Sequence, residues 1–151
     1  MPHRNLVILT GAGISAESGI RTFRAADGLW EDHRIEDVAP PEAFARDPAL
    51  VQRFYNLRRA QLLDPAIAPN AGHLALAQLE AAWQGDFLLI TQNVDNLHER
   101  AGSKNLLHMH GELQSILCSR SQRRHVQTTD LAPDQVCACC GLTGTLRPDI
   151  V

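Results

Sequence analysis

Short aliphatic runs alternate with longer stretches of helical periodicity along this chain. Leu6-Val7-Ile8-Leu9-Thr10 is an unbroken apolar run that stops at glycine, the pattern of a parallel strand buried on both faces. Phe87-Leu88-Leu89-Ile90-Thr91 repeats it, Leu106-Leu107-His108 predicts a shorter third strand, and Leu113 to Cys118 a further extended piece. Helical signals separate the first two runs. Pro40-Pro41 opens a helical region, and Asp47-Pro48 supplies a cap and first-turn proline for a helix to about Leu63 with Leu50, Phe54 and Leu57 as its apolar stripe. Asn70 caps a helix over Ala71 to Trp83, with Leu74, Leu76, Leu79 and Ala82 facing inward. Leu97 to Ala101 reads as a short helix stopped by Gly102, and Ser15 stands near the cap of a helix that follows Gly11-Ala12-Gly13. Residues 19–34 show no period and read as a long ordered loop of a length that usually serves function. Alternating strands and helices predict an α/β fold around a parallel sheet.

Composition narrows the class. With 151 residues, the chain makes one domain, or one domain with a small insertion. Apolar residues at 44% and charged residues at 21% exclude a disordered or collagen-like chain. Fourteen basic against seventeen acidic residues leave a net charge of −3, which lacks the footprint of a nucleic-acid binder. No apolar run approaches the ~20 residues of a membrane span, and Leu6 to Leu9 is too short for a signal-peptide core. The expectation is a cytoplasmic protein with no nucleic-acid or membrane partner. In a reducing compartment four cysteines point to metal ligation more than to disulfides. Residues 119–136 are polar, with Arg120, Arg123 and Arg124 and few apolar positions, and suit a small metal-held insertion.

Several segments carry candidate chemistry. Gly11-Ala12-Gly13-Ile14-Ser15-Ala16 follows a strand in the G-x-G-x-x-A form, which lets backbone approach a pyrophosphate. No second strand ending in an acidic residue follows about 20 residues on, so an ordinary hydride-transfer dehydrogenase is disfavoured. Gln92-Asn93-Val94-Asp95 lies at the carboxyl end of the second strand, where open α/β sheets bind ligands; the plainer reading is a polar turn with Asp95 or Asn96 as helix cap. In His108-Met109-His110-Gly111 an extended backbone puts the two imidazoles on opposite faces, one structural and one at a cleft as a general base. His3, His33, His98 and His125 read as surface residues and His73 as structural. Cys118 and the Cys137/Cys140 pair have zinc-ribbon spacing, except that Ser121 stands where a second cysteine is expected. Cys139 as fourth ligand, water or another side chain, and a lost site all remain open. Tyr55 and Arg58, at i and i+3, share a helix edge and form either a carboxylate clamp or a half-buried tyrosine beside an exposed arginine.

Taken together, GAGISAESGIRTFR at 11–24, TQNVDNLHERAG at 91–102, HMHGEL at 108–113 and a cysteine pair ending near LRPDIV resemble the sirtuins, NAD-dependent protein-lysine deacylases. The resemblance spans the chain and is nearest to the bacterial branch, whose loop and helix motifs recur at Ala26 to Glu31 and Phe54 to Arg59. It implies a Rossmann-like parallel sheet with helices on both faces over residues 1–117, a helical insertion at about 35–84, a small zinc-binding module at 118–147, and a return to the first domain at 148–151. It also implies that the later strands are missing, so that the chain is truncated. By the same resemblance, Gly11, Ala12, Gly13 and Glu17 belong to the NAD-binding turn, and Phe23 and Arg24 to a loop near the nicotinamide ribose. Gln92, Asn93, Val94 and Asp95 line the ribose and nicotinamide pocket, and His110 is the catalytic base. Tyr55 and Arg58 match the pair that reads the acyl carboxylate in desuccinylases and demalonylases. Cys118, Cys137 and Cys140 match the structural zinc site. The implied substrate is an acylated lysine of a protein. Its carbonyl oxygen attacks C1′ of the NAD ribose, His110 deprotonates a ribose hydroxyl, and lysine, nicotinamide and O-acyl-ADP-ribose result. The alternative is a non-catalytic NAD- or ADP-ribose-binding module, or a zinc-stabilised interaction module.

Overall fold

The computed structural model describes residues 4–21 and 29–151. In chain order the elements are β1 (Asn5–Thr10), α1 (Gly13–Ala16), β2 (Leu29–Trp30), β3 (His33–Arg34), α2 (Ile35–Val38), α3 (Pro41–Arg46), α4 (Pro48–Gln61) and α5 (Ala71–Ala82). They continue with β4 (Asp86–Thr91), α6 (Leu97–Ala101), β5 (Leu106–His108), β6 (Gly111–Cys118), β7 (Arg124–Val126) and β8 (Leu146–Ile150).

The three apolar runs form a parallel sheet in the order β1-β4-β5. Parallel register puts Leu6, Ile8 and Thr10 beside Phe87, Leu89 and Thr91 on one face, and Val7 and Leu9 beside Leu88 and Ile90 on the other. The first face is covered: Leu89 and Thr91 have no exposed surface. The second is bare, with Val7 61%, Leu9 60% and Leu107 49% exposed. The runs predict burial on both faces; among the described residues only one face has a cover.

Helix caps fall where the sequence places them. Asp47 accepts a hydrogen bond from Leu50 N at 2.9 Å at the start of α4. Asn70 accepts from Gly72 N at 2.9 Å, and Asn70 N donates to His73 Nδ1 at 3.2 Å, closing a capping box on α5. Gly102 ends α6 in the left-handed region. The buried faces differ from expectation. On α4 the inward residues are Val51, Phe54, Tyr55 and Arg59, while Leu57 is exposed. This helix packs against α3 on one side and β6 and β8 on the other, which rotates its buried edge away from Leu57. On α5, Leu74 and Leu79 are exposed and only His73 is fully buried. The main core joins Val38, Ala43, Val51, Phe54, Tyr55 and Leu62 to Leu113 and Ile150. Trp30 packs edge-on against Phe54, ring centroids 4.9 Å apart.

A second sheet, β7-β6-β8, is antiparallel. Gly111 opens β6 at φ 85°, and a Cβ there would meet Asp149 O at 1.8 Å, so only glycine allows this crossing of β6 and β8. The contact fixes the residue before it, because Val151 N donates to His110 O at 3.1 Å. No helix among the described residues is long and apolar enough to cross a membrane.

Candidate active site

Three segments meet at the carboxyl ends of β1 and β4: the turn after β1, the loop after β4, and the turn between β5 and β6. They surround a cavity of about 460 Å³, a size suited to a small organic ligand. Ala12, Gln92, Asn93, Val94, Asp95 and His110 all line it. Gly11 and Gly13 flank Ala12, and a Cβ on Gly13 would stand in open space. Glu17 is exposed and does not line the cavity. Phe23 and Arg24 lie outside the described residues.

The site is organised around a buried residue that sequence reasoning treats as a cap. α1 is a single turn, its N-cap is Ala12, and no side chain caps it. Ser15 instead points inward, 1% exposed. Its hydroxyl donates to Asp95 Oδ2 at 2.9 Å and accepts from Asn93 Nδ2 at 3.1 Å. His73 Nδ1 accepts from Asn70 N, so its Nε2 carries the proton and faces Ser15 Oγ at 3.4 Å. Asp95 Oδ1 accepts from Leu97 N at 3.1 Å. Asn70 Nδ2 also donates to Ile14 O and Ser18 Oγ, at 2.7 and 2.9 Å, which fastens α5 to the turn after β1. Every member is buried or half-buried and paired, so the loops are held in one arrangement.

One further histidine packs against this cluster. His98, expected at the surface, is 1% exposed, stacks on His73 with centroids 4.9 Å apart, and bonds Thr10 Oγ1 through Nε2 at 2.9 Å. The short α6 follows the pocket loop and turns His98 in behind it. Burial lowers the pKa of both His73 and His98, with His73 adding to the effect on His98.

His108 and His110 do not occupy opposite faces of a strand. β5 ends at His108 and residues 109–110 form a turn, so both imidazoles reach the loop after β4. His108 Nδ1 donates to Asn93 O at 2.7 Å, and its Nε2 meets Glu99 Oε1 at 2.5 Å and Glu112 Oε1 at 3.6 Å. Burial opposes its protonation, but the Glu99 carboxylate and the Asn93 carbonyl outweigh it and raise the pKa. His110 Nδ1 lies 3.2 Å from Gln92 O. A carbonyl oxygen only accepts, so Nδ1 carries a proton, and in the neutral ring Nε2 is the nitrogen with the lone pair.

Tyr55 and Arg58 sit apart from the large cavity. Tyr55 is 1% exposed, and its hydroxyl has no hydrogen-bond partner among the described residues. It lines a small cavity of about 10 Å³ that shares Ala39 and Ile150 with the large one. Arg58 Nε is also buried without a partner among the described residues, and its guanidinium lies 5.0 Å from the Phe54 ring centroid. Burial raises the tyrosine pKa and lowers the arginine pKa. At the far end of β6, Cys118, Cys137, Cys139 and Cys140 gather, their sulfurs all within 4.8 Å of one another. Four clustered thiols are a donor set suited to zinc.

A glycine turn after the first strand and ligand loops at the carboxyl ends of neighbouring parallel strands define an α/β protein of the dinucleotide-binding class. Comparison with known proteins goes further. A family model described as Sir2 family matches residues 11–151. The chain belongs to the Sir2 family, the sirtuins. It is 70% identical over 148 residues to an NAD-dependent protein deacylase of Bdellovibrio bacteriovorus, covering 98% of this chain and 63% of that protein. It is 61% identical over 151 residues to the NAD-dependent protein deacylase of Salmonella typhimurium, covering 100% of this chain and 55% of that protein. The chain thus spans between about half and two thirds of these relatives. Among solved structures, a Sir2 homolog–NAD complex superposes with a TM-score of 0.83 at 45% identity, covering 98% of this chain and 57% of the other. A mutant Sir2 homologue bound to ADP-ribose gives 0.84 at 44%, with 98% and 58% covered. Sir2 in complex with an inhibitor, 2′-O-acetyl-ADP-ribose and a deacetylated p53 peptide gives 0.71 at 32%, with 96% and 56% covered.

Proposed function

We propose that this chain carries the cofactor pocket and catalytic base of an NAD-dependent protein-lysine deacylase that removes acetyl groups and also acidic acyl groups such as succinyl and malonyl. One observation carries the reading. His110 opens onto the same cavity as the loop fixed by Ser15, Asn93 and Asp95, with its Nδ1 anchored and its Nε2 without a partner among the described residues. The names of the relatives, and the acetyl-ADP-ribose and deacetylated peptide bound in one of them, support the reaction class.

NAD, when bound, supplies a ribose carbon activated by departure of nicotinamide. Gly11, Ala12 and Gly13 let backbone approach the pyrophosphate, and Gln92, Asn93, Val94 and Asp95 hold the ribose and the amide. By the family resemblance Phe23 and Arg24, outside the described residues, and Glu17 are assigned to NAD binding. His110 Nε2 takes the proton of a ribose hydroxyl, and the Gln92 carbonyl holds the ring at the correct tilt and steadies the cation that forms. Ile20, Trp30 and Ile35 give the cavity an apolar wall that excludes water. The Tyr55 hydroxyl, which lines the small cavity beside the large one, and Arg58 Nε, one turn further along the same helix, lack partners among the described residues and are donors suited to an acyl carboxylate. Cys118, Cys137 and Cys140 hold a structural zinc. Residues 1–117 and 148–151 act as the cofactor domain and 118–147 as the zinc module. Four free thiols suit the cytoplasm.

The test is nicotinamide release that requires both NAD and an acyl-lysine peptide; release from NAD alone would contradict the deacylase reading. Arg58→Met should reduce succinyl-peptide cleavage by about 10-fold or more relative to acetyl-peptide cleavage, as loss of a charged hydrogen bond predicts. Equal losses would remove the clamp. A second reading, an NAD- or ADP-ribose-binding module without turnover, is favoured by the bare face at Val7, Leu9 and Leu107. Calorimetric binding of NAD with no nicotinamide released would support it.

A further inference from the structure

We propose that Cys139 replaces residue 121 as the fourth zinc ligand, so that Cys118, Cys137, Cys139 and Cys140 form a tetrathiolate and Ser121 stands behind it as a hydrogen-bond donor. The proposal rests on the reading of residues 118–147 as a zinc module and assigns the ligand that spacing leaves open.

Ribbon spacing calls for a thiolate at 121, and serine is a poor substitute because its neutral hydroxyl binds zinc weakly. Zinc with sulfur at about 2.3 Å in a tetrahedron separates its sulfurs by roughly 3.8 Å. Cys118 Sγ and Cys140 Sγ are 3.8 Å apart, Cys137 Sγ and Cys139 Sγ 3.2 Å, and all four fall within 4.8 Å of one another. The backbone explains how one short turn presents three sulfurs. Gly141 N donates to Cys137 O at 2.8 Å and Cys137 N to Leu142 O at 2.9 Å, closing residues 137–142 on themselves. Gly141, at φ 71°, takes the left-handed position that this closure needs. β6 delivers Cys118 from the opposite side.

Ser121 remains next to the cluster without supplying a thiolate. Its Oγ accepts from Arg123 N at 3.2 Å and lies 3.0 Å from Cys139 Sγ. A hydroxyl engaged in this way has its one proton free for the cysteine sulfur, the bond that an outer partner makes to a metal-bound thiolate. The rival ligand is His125, whose Nε2 lies 3.9 Å from Cys137 Sγ. The set of mutually close donor atoms contains the four sulfurs and not this imidazole.

Zinc content and cobalt substitution test the assignment without any catalytic readout. The purified chain should hold one zinc, and its cobalt form should show the charge-transfer intensity of four thiolates. Ser121→Ala should keep stoichiometric zinc and weaken it by no more than the roughly 10–100-fold expected of an outer partner. Cys139→Ser should lose zinc to a competing chelator well beyond that range, and the double variant Cys139→Ser with Ser121→Cys should regain it. Zinc retained unchanged by Cys139→Ser, or lost with His125→Gln instead, overturns the proposal. So does a three-thiolate cobalt spectrum of the unaltered chain, which decides the matter even where Cys139→Ser does not fold. A chain that binds no zinc at all overturns the metal-module reading itself, a result distinct from the others.

Discussion

The proposed cofactor pocket and the cysteine module are held in different ways. In the pocket, polar side chains go inside and are paired: Ser15 meets Asp95 and Asn93, with His73 close by. The module has little to bury. Its cluster consists of Ile116, Leu131 and Leu146 with Cys118 and Cys137, while Val126 and Val136 are 82% and 60% exposed. A small body with three buried aliphatic residues needs a cross-link, which the proposed zinc would supply through the clustered sulfurs. The pocket is set by hydrogen bonds across long sequence separations, whereas the module gathers four sulfurs across shorter ones, the donor set of the proposed zinc site.

Metal removal should separate the two regions most strongly. Zinc contributes on the order of 10–16 kcal/mol to peptides that fold around it. Stripping it should speed amide exchange across β7 and the residues 137–142 while leaving β1 and β4 protected. Uniform loss of protection would mean that the module supports the whole fold. Asp95→Ala acts on the other side. It leaves the Ser15 hydroxyl and Leu97 N without their acceptor and should cost about 3 kcal/mol of stability, with NAD affinity falling in calorimetry and zinc content unchanged.

Acidification should have a smaller effect. The folded pKa values of His73 and His98 lie below the ordinary 6.5, so the unfolded chain binds protons first and stability falls as pH drops below about 6.5. His108 works in the opposite direction: its contribution is complete below 6.5 and fades as pH rises through its raised folded value. Melting curves against pH should therefore show a shallower acid limb in His98→Gln, where His73 remains, and lose the alkaline limb in His108→Gln. Unchanged limbs would show that neither group titrates with folding.

What the sequence reveals is what local chemistry decides. The strand runs ending at Thr10 and Thr91, the Asp47 and Asn70 caps and the Gly102 stop depend on neighbours within a few residues, and all are found where the pattern puts them. The role of Ser15 depends on Asp95, 80 residues away, and that of His98 on Thr10, 88 residues away, so neither has a local signal. The one usable sign is Asn70 with His73 three residues later, a capping box that carries the imidazole inward. The inward edge of α4 is set by β6 and β8, which its own periodicity does not know about. Gln92 to Asp95 and His110 are legible as a set because they follow strands at the ligand end of the sheet, although the turn at 109–110 that brings the imidazoles to one loop is not.

Replacing His110 tests the central claim most directly. With NAD and an acetyl-lysine peptide, His110→Ala should release nicotinamide-coupled product at least about 10²-fold more slowly than the unaltered chain, the usual contribution of a general base. Calorimetric NAD affinity should stay close to that of the parent, because Ser15, Asn93 and Asp95 still fix the pocket. Turnover by His110→Ala at the parental rate, or NAD binding lost along with it, would contradict the account.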